Sequence, residues 1–212
     1  MRTRLLLVVL IVVIGISAAG LAQASAPTVD GKISAGEYRN LYYSNLVQMS
    51  LYWSIAGDTL YIGLKAPGAG WVAINFMAME GGSIHGDTII GYVDPGLFSD
   101  KLYLSDQVAP EDGHFPHMDD TGVGGEYNIL DKAGTENNGV TVIEFSRKLN
   151  TGDVNDIALM DDGMGTMVML AYSPDADDYQ TYHGAIERIA LTVDFFNGFV
   201  NDFPTGESHT GS

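Results

Sequence analysis

No cysteine occurs among the 212 residues of the chain. Disulfides, iron–sulfur clusters, thiolate zinc sites and covalently attached c-type haem are therefore excluded. Any cofactor must be held non-covalently, through His, Met, Asp or Glu. Positive charge is scarce too. Ten Lys and Arg face 27 Asp and Glu, for a formal net charge of −17. Such acidity disfavours nucleic acid and anionic membranes, and it suits a soluble domain or a basic partner. Helical periodicity is nearly absent, with one short turn over Ser34–Tyr38 as the best candidate. The chain carries no Ser-His-Asp arrangement and no phosphate-cradling glycine loop. No pair of carboxylates stands in a distinctive apolar setting, so the sequence does not read as an enzyme.

What is present begins with an export signal. Arg2 and Arg4 precede the apolar run Leu5–Ile14, and Ala22-Gln23-Ala24 supplies a small-residue cleavage site. Residues 1–24 are expected to be removed, leaving Ser25 first and placing the protein in a periplasm, at a cell surface or in the medium. The apolar character extends to Leu21, so a retained anchor is the alternative. No second apolar span follows. Loss of Arg2 and Arg4 takes the formal charge from −17 to −19, and 188 of the 212 residues remain. That length suits one domain with a substantial core.

Period-two alternation dominates the remainder. Met49, Leu51, Trp53 and Ile55 share one face, and Leu60, Ile62 and Leu64 repeat the pattern after Gly57-Asp58. Two such runs joined by two turn residues predict a β-hairpin. Thr141, Ile143 and Phe145 alternate likewise, as do Ile189, Leu191, Val193 and Phe195, and Met167–Tyr172 is a continuous apolar run. Residues 94–138 read as long surface connections around one or two strands. The segment 199–212 lacks a pattern and is expected to be disordered. The whole predicts an all-β, immunoglobulin-like antiparallel β-sandwich of about nine to eleven strands over residues 28–198.

The stretch Gly70–Val93 carries the densest chemistry. Trp71–Phe76 and Thr88–Val93 read as two strands. Between them Met77, Met79 and His85 lie beside Gly81, Gly82 and Gly86, so soft and nitrogenous donors sit on a predicted loop open to close approach. The plainer reading has the methionines filling core gaps. Elsewhere, His114 and His117 with Asp112, Asp119 and Asp120 offer donors for a divalent metal, although their polar loop favours solvated side chains. Asp175, Asp177 and Asp178 offer oxygens without the fuller ligand set of a calcium motif. Tyr52, Trp53 and Tyr61 are the aromatics to test for carbohydrate, and they are also ordinary strand residues.

Several segments, in order, resemble the DOMON family. They are Val29-Asp-Gly-Lys-Ile-Ser-Ala-Gly-Glu-Tyr38, Gly70-Trp-Val-Ala-Ile74, Gly86-Asp87, Ile90-Gly-Tyr-Val93, Glu144–Asp153 and Tyr182-His183. The resemblance implies an extracellular sandwich related to b-type cytochrome and sugar-binding domains. In haem-binding members a methionine before the Gly-Ala-Asp-like motif and a late histidine hold the iron. His183 fills the histidine position. Ser83 stands four residues before Asp87, where the methionine is expected, so Met77, Met79 and His85 remain as second ligands. A methionine there would raise the reduction potential and a histidine would lower it. The resemblance implies a haem b slot near Trp71, Phe76 and Tyr182, with Arg188 or Lys65 beside a propionate. His183 is expected in a pocket at one end of the sandwich, facing the Met77–His85 loop. The implied function is an exported haem-binding electron-transfer domain serving a redox partner. The alternative is a non-catalytic module for carbohydrate or another small ligand.

Overall fold

The computed structural model describes residues 25–80, 83–96, 99–109 and 116–202. Twelve strands run through them: β1 (Asn40–Tyr43), β2 (Ser50–Ala56), β3 (Thr59–Pro67), β4 (Val72–Glu80), β5 (Ser83–Asp94), β6 (Lys101–Ala109), β7 (Met118–Asp119), β8 (Ile129–Asn137), β9 (Val140–Lys148), β10 (Thr166–Tyr172), β11 (Arg188–Asp194) and β12 (Phe199–Asp202). They form a five-stranded sheet, β1-β2-β3-β9-β8, and a seven-stranded sheet, β12-β11-β10-β4-β5-β6-β7. Every pairing is antiparallel. The all-β sandwich expected from the alternation is thus the observed fold.

Local chemistry accounts for the hairpins. Ala56 pairs with Thr59 across Gly57-Asp58, and Gly57 takes φ 63°. Asn137 pairs with Val140 across Asn138-Gly139, whose φ values are 53° and 70°. A two-residue turn with positive φ matches the twist of its strands, and Asn-Gly adopts it at little steric cost. The inner faces then meet. Trp53, Ile62 and Phe145 from one sheet pack with Ile74, Phe76, Ile89, Leu170 and Leu191 from the other. Each such side chain contributes about 1.5–3 kcal/mol on burial. The Trp53 indole N–H donates to the Phe195 carbonyl at 3.0 Å and so ties the two layers.

Four expectations need correction. Residues 199–202 are strand β12, paired to β11 through Val193–Val200 and its neighbours, so the sandwich does not stop at 198. The 94–138 region holds β6, β7 and β8 rather than one or two strands, because Leu104, Asp106 and Val108 alternate inward despite the surrounding acids. Those strands and β12 raise the total above the expected range. Trp53 is fully buried and cannot serve as a sugar platform. The fourth concerns Met77–His85, whose residues 77–80 and 83–85 are strand rather than loop. β4 and β5 continue in register to Glu80–Ser83. Residues 1–24 and 203–212, together with Gly81, Gly82, Asp112 and His114, lie outside the described residues.

Candidate functional site

The outer face of the seven-stranded sheet is not left to solvent. Trp71, Ala73, Ile90 and Ala171 form a second apolar cluster there, joined by Tyr92, Ala176 and Tyr179. The segment between β10 and β11 folds over them. It is pinned by Ser173 N–H to the Trp71 carbonyl at 2.8 Å, Trp71 N–H to the Ala176 carbonyl at 2.9 Å and the Trp71 indole to the Thr181 carbonyl at 3.1 Å. A Cβ on Gly70 would stand 2.5 Å from the Ala176 nitrogen, so only glycine permits this approach. Asp178 organises the far end by accepting from the Thr181 hydroxyl at 2.7 Å and from the Thr181 and Gln180 amides at 2.6 and 2.7 Å, and these bonds, the hydroxyl's first, hold its carboxyl below the usual range. The Asp175–Asp178 loop therefore spends its best oxygen donor on its own backbone.

That segment delivers His183 to a groove. Its side chain, on a residue only 5% exposed, lines the groove with Trp71, Ala73, Met169, Ala171 and His117. Asn75 and Thr88 form the rest of the floor, and the free volume is about 370 Å³ including the open mouth. His183 Nδ1 lies 2.6 Å from the Gly184 carbonyl, which accepts only, so Nδ1 carries the proton. Nε2 is then the lone-pair nitrogen, with the Arg188 guanidinium donating from 3.4 Å. The Trp71 ring meets the imidazole edge-on at 6.4 Å, and Tyr182 lies against it at 4.2 Å. Tyr182 is itself 61% exposed. It shields His183 rather than lining a slot.

Strand parity decides the remaining candidates. Val72, Ile74 and Phe76 point into the core, so Trp71, Ala73, Asn75, Met77 and Met79 point outward. Phe76 therefore packs in the core, not in the groove. Met77 shares the His183 face but lies one pleat beyond Asn75, between Met167 and Gly86, where it fills space over a glycine. Met79 is a further pleat out and 67% exposed. His85 pairs with Ala78, on the inner parity, and so points to the opposite face from His183. Lys65 is on β3, in the other sheet. None of the three expected second ligands lines the groove, and the groove lies on a sheet face rather than at an end. His117 does line it, with Nδ1 hydrogen-bonded to the Gln107 side chain. In the sequence His117 is a donor in a polar loop, and pairing of the short β7 with β6 brings it to the groove. Met169 was hidden within an apolar run whose parity was not legible.

The model of the DOMON domain matches residues 47–173. The chain belongs to the DOMON family. In this DOMON domain the matched span runs from the entry to β2 through the end of β10, so the segment carrying His183 lies beyond it. Among solved structures, the chain is similar to the cytochrome b domain of pyranose dehydrogenase from Coprinopsis cinerea, at 15% identity and TM-score 0.47, over 72% of this chain and 80% of that one. No curated protein matches the sequence.

The donor set suits a haem. Two imidazoles, of His183 and His117, line an apolar groove with a floor of small side chains, Ala73, Ala171 and Thr88. The tautomer of His183 presents Nε2, and its carbonyl partner supplies the backing that orients a ligating imidazole. Arg188 beside it is the cation suited to a propionate. No helix among the described residues is long and apolar enough to cross a membrane.

Proposed function

We propose that this DOMON domain is an exported, non-catalytic electron carrier that binds a b-type haem non-covalently in the outer-face groove. His183, through Nε2, and His117 are the residues that would hold its iron. The observation that carries the reading is the buried His183 imidazole, with its tautomer held by the Gly184 carbonyl. When bound, the haem supplies a one-electron couple. The chain's own residues hold the imidazole in one orientation, exclude water with Trp71 and Tyr182, and offer Arg188 to a propionate. A pair of imidazoles places the potential below that of a histidine–methionine pair. The acidic surface, at −17 for the full chain, suits a redox partner with a basic docking face.

Haem titration of the purified protein tests this. The expected result is a saturable Soret band with sharp α and β bands for the wild type, lost in His183→Ala. In His117→Ala the low-spin spectrum should become high-spin. Bands that survive unchanged in His183→Ala would move the haem elsewhere. A wild type without bands would end the electron-transfer reading. It would favour a small-ligand module, for which the recess lined by Tyr38, Leu41 and Tyr52 on the five-stranded sheet is the place to look.

A further inference from the structure

On the inner side of the same strands lies a second constellation that the haem reading does not use. Asp87 on β5, Asp106 on β6 and Asp156 after β9 bring carboxylate oxygens within 4.8 Å of one another. Each is anchored through one oxygen only. Asp87 Oδ2 accepts from Arg147 Nη1 at 2.5 Å and from the Ile157 amide at 2.9 Å. Asp156 Oδ2 accepts from Arg147 Nη2 at 3.2 Å, and Asp106 Oδ2 from the Asn128 amide at 2.8 Å. The second oxygen of each is buried without a hydrogen-bond partner among the described residues.

Asp120 is a separate observation. It is only 1% exposed, both its oxygens lack partners, and its strongest charged neighbours are Asp106, Asp156 and Asp87. The Asn128 side-chain oxygen is likewise buried and unpartnered. Six oxygens thus remain unsatisfied, one each from Asp87, Asp106, Asp156 and Asn128 and two from Asp120. A buried polar atom without a partner is destabilising. Four carboxylates against one guanidinium leave a formal charge of −3, and no further Lys or Arg forms an ion pair with them among the described residues.

We propose that these oxygens form a buried site for a hard divalent cation, Ca²⁺, set behind the groove on the opposite face of β5 and β6. Oxygen-only ligation, with no nitrogen or sulfur donor in the set, selects a hard ion. Three buried carboxylates with oxygens within 4.8 Å of one another, and Asp120 among their charged neighbours, suit Ca²⁺, whose coordination is flexible, better than Mg²⁺, which demands a near-ideal octahedron. Two added charges reduce the local −3 to −1 and give the orphaned oxygens a partner. The arginine has a distinct part. It holds Asp87 and Asp156 so that their second oxygens converge, as a positioning residue.

The test uses the full exported chain, haem-free and treated with EDTA, so that its outcome is independent of haem binding. Ca²⁺ titration followed by calorimetry should show one saturable site, and the thermal midpoint should rise by several degrees in saturating Ca²⁺. Asp120→Asn is nearly isosteric and cannot ionise, so it should fold at least as stably in EDTA. It should also lower Ca²⁺ affinity at least tenfold. Asp58→Asn, on the surface, should leave the affinity unchanged. Absence of a saturable 1:1 site in the wild type would overturn the proposal, and so would unaltered affinity in Asp120→Asn.

Discussion

Asp87 and Thr88 are neighbours on β5 but serve opposite surfaces of the seven-stranded sheet. Thr88 faces outward into a groove that is apolar and open, while Asp87 faces inward among charges that are sealed from water. The usual division of polar and apolar is inverted across these two positions. Charge tolerates the interior because Arg147 crosses from β9 to meet Asp87 and Asp156. Apolar groups tolerate the outer face because the 173–184 segment lies over Trp71. The inner region depends on electrostatic neutralisation and the outer one on coverage, so they should fail under different perturbations.

The sharpest way to break that contrast is Arg147→Met. It keeps the volume but leaves buried carboxylates without their guanidinium, and breaking such a pair costs about 3–5 kcal/mol. Urea unfolding in EDTA should show a loss of that size. A loss below about 1 kcal/mol would mean the inner charges are solvated after all.

Acidity should separate the regions next. Burial, as the largest cause, pushes Asp87 up to about 6, Asp106 to about 7 and Asp120 to about 8, from an ordinary 3.8. Facing them are Arg147 on β9, Asp153 and Asp156 in the following segment, and Tyr127 ahead of β8. The folded state then binds more protons than the unfolded chain between about pH 4 and 8, so stability falls as pH rises through that window. In EDTA the thermal midpoint should drop from pH 5 to pH 8, and saturating Ca²⁺ should flatten the drop. An equal drop with Ca²⁺ would count against a cation at these oxygens.

The smallest effect belongs to the outer face. Trp71→Phe removes the hydrogen bond to the Thr181 carbonyl and a little buried area, for about 1–2 kcal/mol. Hydrogen exchange should quicken over 173–184 and leave β9 unchanged. Quickening throughout the sandwich would show that the cover and the core are one cooperative unit.

Alternation along the chain was enough to determine the sandwich, the β2–β3 hairpin and the inward set from Leu51 to Val193, because strand side chains alternate with period two whatever the partner strand. The motifs likewise marked Trp71 and His183. Tertiary structure alone decided which candidates meet. Glycines at 81, 82 and 86 suggested a loop, but pairing with β5 carried β4 on to Glu80, and parity then sent His85 to the wrong face. His117 reached the groove through pairing of β7 with β6, a contact invisible to local pattern. Asp87 and Arg147 lie 60 residues apart, and no local pattern joins Asp106, Asp120 and Asp156 to them. A carboxylate has the same hydropathy on either face of a strand. Only the packing of the two sheets sets whether water or a guanidinium answers its charge.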